Sequence, residues 1–97
     1  MKIIWSPLAI ERVSDIAEYI AEDNISAAMK WIDELFKKIE QLNEFPESGR
    51  VVPEMKISHI RELLFRNYRI VYRIEKKQIS ILTLRHFKQI LPTDELS

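Results

Sequence analysis

Eight Lys/Arg side chains crowd the stretch from residue 61 to residue 88 (Arg61, Arg66, Arg69, Arg73, Lys76, Lys77, Arg85 and Lys88), against two acids, Glu62 and Glu75. Within it, Tyr68-Arg69-Ile70-Val71-Tyr72-Arg73-Ile74 alternates with a period of two. A strand with that pattern turns Tyr68, Ile70, Tyr72 and Ile74 to one face and Arg69 and Arg73 to the other. A sheet with an apolar side and an arginine side is a surface built to meet anions. The chain is neutral overall only because its flanks are acidic: residues 1–60 sum to −4, residues 61–88 to +6 and residues 89–97 to −2. Such asymmetry points to a polyanionic or strongly acidic partner at one face. The bland alternative is a solvated sheet edge whose Lys/Arg guard against aggregation.

Other chemistries find less material. The absence of cysteine removes structural disulfides, thiolate metal sites and thiol nucleophiles, and agrees with a reducing cytosol. Two histidines, His59 and His86, are too few for a histidine-built metal centre. No metal, cofactor or small-molecule substrate is indicated. No apolar run approaches the roughly 20 residues that span a bilayer, and the first residues lack the apolar stretch of a signal peptide. The expectation is a cytoplasmic protein without a membrane partner. Its 97 residues suffice for a single domain, 1–97, with one core.

The elements that must hold the arginines can be read in order. Residues 2–5 form a short strand stopped by Ser6-Pro7, where Ser6 suits a helix N-cap and Pro7 the first turn. Ala9, Val13, Ile16, Ala17 and Ile20 recur at helical spacing. After the connector Asp23-Asn24, with Asn24 or Ser26 as cap, comes a second stripe of Ala28, Trp31, Ile32, Leu35, Phe36, Ile39 and Leu42, closed by Phe45-Pro46. So short a connection makes the two helices an antiparallel hairpin. Residues 46–60, with Pro46, Pro53 and the sole glycine, Gly49, read as one long loop of the kind that often carries function. Strands over 60–66, 68–75 and 78–86 follow, joined by tight turns at Asn67 and at Lys76-Lys77, hence antiparallel. The order is β-α-α-β-β-β, an α+β domain with the helical hairpin on one face of a small, mainly antiparallel sheet. Ile70, Tyr72, Ile74, Leu82 and Leu84 are expected to face the helices. Arg69, Arg73 and Arg85 are expected outside, together with Val71, Ile79 and Ile81. Trp5, Trp31, Phe36 and Phe45 are expected in the core.

These residues resemble the RelE/ParE toxin superfamily of bacterial type II toxin–antitoxin systems. The likeness runs nearly end to end: Trp5-Ser6-Pro7-Leu8-Ala9, Pro46-Glu47-Ser48-Gly49-Arg50 with Val52-Pro53-Glu54, the Tyr68–Ile74 strand and Leu84-Arg85-His86. The resemblance implies a toxin neutralised by a cognate antitoxin whose helix or extended segment wraps it. An antitoxin would lay apolar side chains on Val71, Ile79 and Ile81, or in the groove beside the helical hairpin. Its carboxylates would meet Arg69, Arg73 and Arg85. Homodimerisation through the hairpin is a further option the family implies.

The superfamily acts in two ways. RelE-like members cut mRNA on the ribosome, whereas ParE-like members, with the plasmid-stabilisation proteins, poison DNA gyrase. Cutting RNA through its 2′-hydroxyl needs a general base, a general acid and cations around the phosphate. Arg69 and Arg85 are candidate cations, His86 is the sole candidate acid or base in the basic stretch, and Glu54 is the nearest family-like carboxylate. RelE-like nucleases place a tyrosine, or a histidine and tyrosine, after the last strand. Here the run Arg85-His86-Phe87-Lys88 has none, and strand alternation sends His86 away from Arg85. The sequence therefore favours the ParE-like branch, with Arg50, Arg69, Arg73, Arg85 and Lys88 as candidate target contacts. Ribosome-dependent mRNA cleavage is the alternative, and a low-toxicity remnant that keeps antitoxin binding is a third reading.

Overall fold

A computed structural model describes residues 1–96. Strand β1 (Lys2–Trp5) leads into helix α1 (Pro7–Asp23), helix α2 (Ile25–Glu40) and a 3-10 turn (Gln41–Asn43). Then come β2 (Arg50–Val51), β3 (Ile60–Phe65), β4 (Tyr68–Ile74), β5 (Gln78–His86) and a last 3-10 turn, Thr93–Glu95. The sheet order is β1-β5-β4-β3-β2. Only β1 runs parallel to its neighbour, β5. The two-helix, mostly antiparallel α+β architecture expected from the sequence is therefore observed. The addition is β2, two residues inside the expected loop, registered Arg50 to Glu62 and Val51 to Arg61.

Caps set the helices where the sequence places them. The Ser6 hydroxyl accepts from the Ala9 amide at 3.0 Å and donates to the Leu82 carbonyl at 2.8 Å, tying the start of α1 to β5. Asn24 serves both helices: its amide donates to the Ile20 carbonyl, ending α1, while its side-chain oxygen accepts from Ala27, opening α2. The hairpin packs on the sheet through Ala9, Trp31, Leu35, Ile39 and Leu42, against Leu63, Phe65, Ile70, Tyr72, Ile79, Ile81 and Leu84.

Two expectations about facing are corrected here. Ile79 and Ile81, expected outside, lie in the helix-side core with no exposure, and Leu82, expected inside, lies on the opposite face. The cause is a β-bulge: Val71 pairs with Thr83 while the next residue, Tyr72, pairs with Ile81, leaving Leu82 without a partner in the ladder. One extra residue reverses the alternation on either side of it. Phe36 and Phe45 are also not core, being 44% and 61% exposed, whereas Trp31 is buried and Trp5 half-buried, with Trp5 leaning on Phe36.

The face away from the helices has a second, smaller core of Val52, Ile60, Val71, Leu82, Leu91 and Leu96, flanked by Met55 and Ile57. Its roof consists of the 52–60 loop and residues 89–96, a strap that crosses the sheet. Val71, expected to be open ground on this face, is completely covered. Among the described residues no helix is long and apolar enough to cross a membrane.

Candidate interaction surface

The face that carries the arginines is where a partner was expected. Arg69 and Arg85 are register partners on β4 and β5, so the strands do bring them together. Neither points a bare guanidinium at solvent. Arg69 is 4% exposed and is gripped from two sides: Nε donates to Glu62 at 2.6 Å, and Nη1 and Nη2 each donate to the Glu54 carboxylate at 2.7 Å. A fourth bond, from Nη1 to the Gln89 carbonyl at 3.1 Å, reaches the strap. The fork of the guanidinium is thereby filled, and a bidentate carboxylate of this kind is among the strongest neutralising partners available. Glu62 is itself fully buried and takes a second cation, the Arg50 Nε at 2.6 Å. Arg50-Glu62-Arg69-Glu54 is thus a chain of alternating charge that sums to zero.

Electrostatics follow the contacts. Hydrogen bonds from Arg69 hold the Glu54 carboxyl down at about 2, and the same pairing raises the Arg69 guanidinium. Arg85 forms a second cluster. It donates through Nε and Nη2 to Glu95 in the strap, which also accepts from Arg12 of α1 at 3.3 Å and from the Thr83 hydroxyl at 3.1 Å. Glu95 is lowered chiefly by Arg85, and Arg85 is raised by Glu95. Two of the six net positive charges read from residues 61–88 are therefore answered within the molecule, by Glu54 and Glu95 from the acidic flanks.

The other expected contacts scatter. Arg50 keeps 57% of its side chain exposed despite its ion pair. Arg73 lies near the sheet end, 3.9 Å from Glu75. Lys88 sits over the Phe87 ring beyond β5. His86 is turned to the helix side, its ring edge-on to Tyr68 and stacked on Phe87, with Nδ1 accepting from the Lys88 amide at 3.3 Å. It does not share a face with Arg69, so His86, Arg69 and Arg85 do not assemble into one acid, base and cation set.

Sequence reasoning missed the acids. Glu62 is the sole charged residue in Leu/Ile/Phe-rich positions of β3 that face away from the helices, and an acid there beside an arginine strand was the available signal for a buried pair. It also missed why the 46–49 segment is shaped as it is. The Tyr72 hydroxyl, fully buried and raised by that burial, donates to the Pro46 carbonyl at 2.7 Å and accepts from the Gly49 amide at 3.0 Å. A Cβ on Gly49 would lie 2.5 Å from the Glu62 carbonyl and 2.6 Å from that hydroxyl, so the backbone passes where only glycine fits. The Pro46-to-Arg50 motif is thus a splint that delivers Arg50 to Glu62.

On the opposite side of the molecule Trp5, Ile10, Val13, Ser14 and Phe36 line an open apolar groove of about 370 Å³ where α1, α2 and β1 meet. A smaller groove, about 240 Å³, gathers Arg12, Asp15, Ile16, Tyr68, Leu84, Arg85, His86 and Gln89 where α1 crosses the ends of β4 and β5.

A helical hairpin on one face of a five-stranded sheet, with paired arginines beneath a short strap on the other, defines a small α+β domain whose surface carries open grooves. Residues 3–91 match the family described as ParE toxin of type II toxin-antitoxin system, parDE. The candidate toxin Y4kP of Sinorhizobium fredii (strain NBRC 101917 / NGR234) is 33% identical over 93 residues, spanning 94% of this chain and 93% of that protein. A chain from the chromosomal ParDE TA system of P. aeruginosa has the same fold, with a TM-score of 0.74 at 21% identity over 91% of this chain and 97% of that one. The chain belongs to the ParE toxin family of type II toxin–antitoxin systems.

Proposed function

We propose that this toxin arrests growth by binding and poisoning DNA gyrase, and that a cognate antitoxin neutralises it. The observation that carries the choice of mechanism is the commitment of Arg69 and Arg85 to Glu54, Glu62 and Glu95, with His86 on the far side of the sheet from Arg69. Phosphoryl chemistry on RNA needs cations preorganised around the phosphate and an acid–base pair within reach. Guanidiniums already saturated by carboxylates supply neither. A protein that acts by docking needs only an accessible surface, and of the candidate target contacts Arg50, Arg73 and Lys88 keep enough exposure to contribute to one. The antitoxin's apolar segment fits the groove of Trp5, Ile10, Val13 and Phe36, since an open apolar cleft beside two helices suits an amphipathic helix.

A second reading, ribosome-dependent mRNA cleavage, draws on the smaller groove, where Arg12, Tyr68, Arg85 and His86 do meet. One paired assay separates the two. Purified toxin is incubated with gyrase and supercoiled plasmid, and in parallel with translating ribosomes and a reporter mRNA. Trapped cleavage complexes or lost supercoiling with intact mRNA are expected. Codon-spaced cuts with unaffected gyrase would replace the proposal by the nuclease reading, and no effect in either arm would leave a domain that binds antitoxin without toxicity.

A further inference from the structure

Arg69 and Arg85 are committed to the chain's own acids, but the lysines at one end of the sheet are not. Lys76 and Lys77 form the tip of the turn between β4 and β5, and that turn is pinned. The Glu75 amide donates to the Gln78 carbonyl at 2.9 Å, while the Glu75 carboxylate accepts from Gln78 Nε2 at 3.1 Å and from the Ser80 hydroxyl. Strand β1 runs parallel to β5 with Lys2 registered to Gln78, so Lys2 reaches the same end. Arg73 is registered to Ile60 at the start of β3, and the Ile74 amide donates to the His59 carbonyl at 2.8 Å, which brings exposed His59 there as well. The order β1-β5-β4-β3 therefore lays Lys2, Lys77, Lys76, Arg73 and His59 in a row across three strand spacings, about 15 Å. Lys2, Lys76 and Lys77 are exposed and, among the described residues, make no ion pair. Glu75 is the sole acid in the segments that build this end, residues 1–4, 57–60 and 73–80, and its carboxylate is engaged inside the turn. Helix α1 meets the opposite ends of β4 and β5 at Asp15 and Ile16 and carries Glu18, Glu22 and Asp23 beyond them. A chain of zero net charge is thus dipolar, with one end that orients toward a polyanion.

We infer that this row, Lys2, Arg73, Lys76 and Lys77 at the end of the sheet and clear of the strap, is a contact for the phosphate backbone of double-helical DNA. The side chains decide among anions. Lysines are compact point charges without the planar fork that matches a carboxylate, so they suit backbone phosphates, which position a protein without reading sequence. A single strand is held by aromatic platforms on which its bases stack, and residues 1–4, 57–60 and 73–80 contain no Phe, Tyr or Trp. An acidic peptide or a lipid surface needs apolar seats or an apolar wedge beside the charges, and Met1 is the only large apolar side chain exposed in those segments. The choice of DNA over duplex RNA rests on the gyrase reading, since gyrase holds duplex DNA. The row itself does not depend on that reading.

Salt makes the contact measurable, because each phosphate neutralised by a cation releases counterions. The probe is a short fluorescein-labelled DNA duplex, free of gyrase, titrated with the full chain and read by anisotropy over a series of salt concentrations. Contacts from Lys2, Arg73, Lys76 and Lys77 give a slope of log affinity against log salt of about −3.6. Replacing both turn lysines, Lys76→Gln with Lys77→Gln, should bring the slope to about −1.8, and Lys2→Gln alone to about −2.7. Lys30→Gln, on α2 beside Trp31 and so near Phe65 and Tyr68 at the opposite end, should leave it unchanged. Should the double variant lose cooperative unfolding, Lys2→Gln carries the test. No duplex binding at low salt, a slope that neither variant moves, or an equal loss with Lys30→Gln overturns the inference. Tighter binding to a single strand of the same length, to a duplex RNA of the same sequence or to vesicles of anionic phospholipid overturns it too. A row that only guards the sheet end against aggregation predicts no duplex binding and a double variant that self-associates in sedimentation. Because gyrase is absent from this titration, its failure leaves the gyrase reading standing, and failure of the gyrase assay leaves a measured duplex contact in place.

Discussion

On the helix side of the sheet, Leu35, Ile39 and Leu42 of the hairpin interlock with Ile70, Tyr72, Ile79, Ile81 and Leu84, and nearly every contact is apolar. On the other side, a handful of apolar residues share the space with Arg12, Arg50, Arg69 and Arg85 and with Glu54, Glu62 and Glu95. The first face is closed by burial that is non-directional and grows with area, so it holds as one unit. The second is closed by discrete pairs, each strong only while both partners are in place. The difference teaches that a basic sequence segment need not give a basic surface. Here the same arginines that advertise an anion partner are first used to bind the chain's own loop and strap, and access to them depends on a few carboxylates.

Removing the centre of the charged chain should break this contrast most severely. Arg69→Met leaves the fully buried Glu62 with Arg50 alone and Glu54 with no cation, and the buried charge left short of a partner should cost about 3–5 kcal/mol in urea unfolding. If the variant unfolds at the same urea concentration, the pairs contribute nothing to closing this face. Acid should act on the same bonds more gradually. Glu54 has a folded pKa of about 2, below its unfolded value of about 4.5. Its contribution is therefore complete above about pH 4.5 and is lost as the pH falls toward 2, on the order of 3 kcal/mol in all. Urea midpoints taken from pH 6 downward should fall through that window, and Glu54→Gln should flatten the fall. A smaller effect is expected where the loop meets the sheet. Gly49→Ala pushes a methyl into the Glu62 carbonyl and the Tyr72 hydroxyl and should lower stability by about 1–3 kcal/mol, visible as a drop in melting temperature. An unchanged melting temperature would mean the splint has slack.

Most of the fold was legible because its signals are local. Ser6 and Asn24 cap the helices, apolar stripes recur at helical spacing, and turns of two and three residues force antiparallel strands, with Arg66 in the left-handed region at φ 53 within the first of them. What was not legible depends on tertiary context. A two-residue strand such as β2 has no period to detect, and its existence follows from Tyr72 gripping Pro46 and Gly49. The bulge at Leu82 has no glycine or proline to mark it, yet it turned Ile79 and Ile81 inward and Leu82 outward. The candidate surface was legible in its cations and not in their fate. Arg69 and Arg85 share a face as alternation requires, but besides Glu62 on β3 the acids that neutralise them come from positions 15 residues before the first and 10 after the second, in segments without regular patterning. Leu91 and Leu96 straddle Pro92 at a spacing that matches neither helix nor strand, so the strap left no signature.

Native-state hydrogen exchange on the full chain tests most directly whether the arginine face is closed by a separable element. The Leu91 amide, held by the Glu54 carboxylate, should exchange through a local opening well below the free energy that protects Ile70 and Ile81 in the strands beneath, and Glu95→Gln should speed the first without changing the others. If Leu91 instead exchanges together with the strand amides, and Glu95→Gln moves all of them alike, the strap is part of the core and the two faces are one cooperative unit.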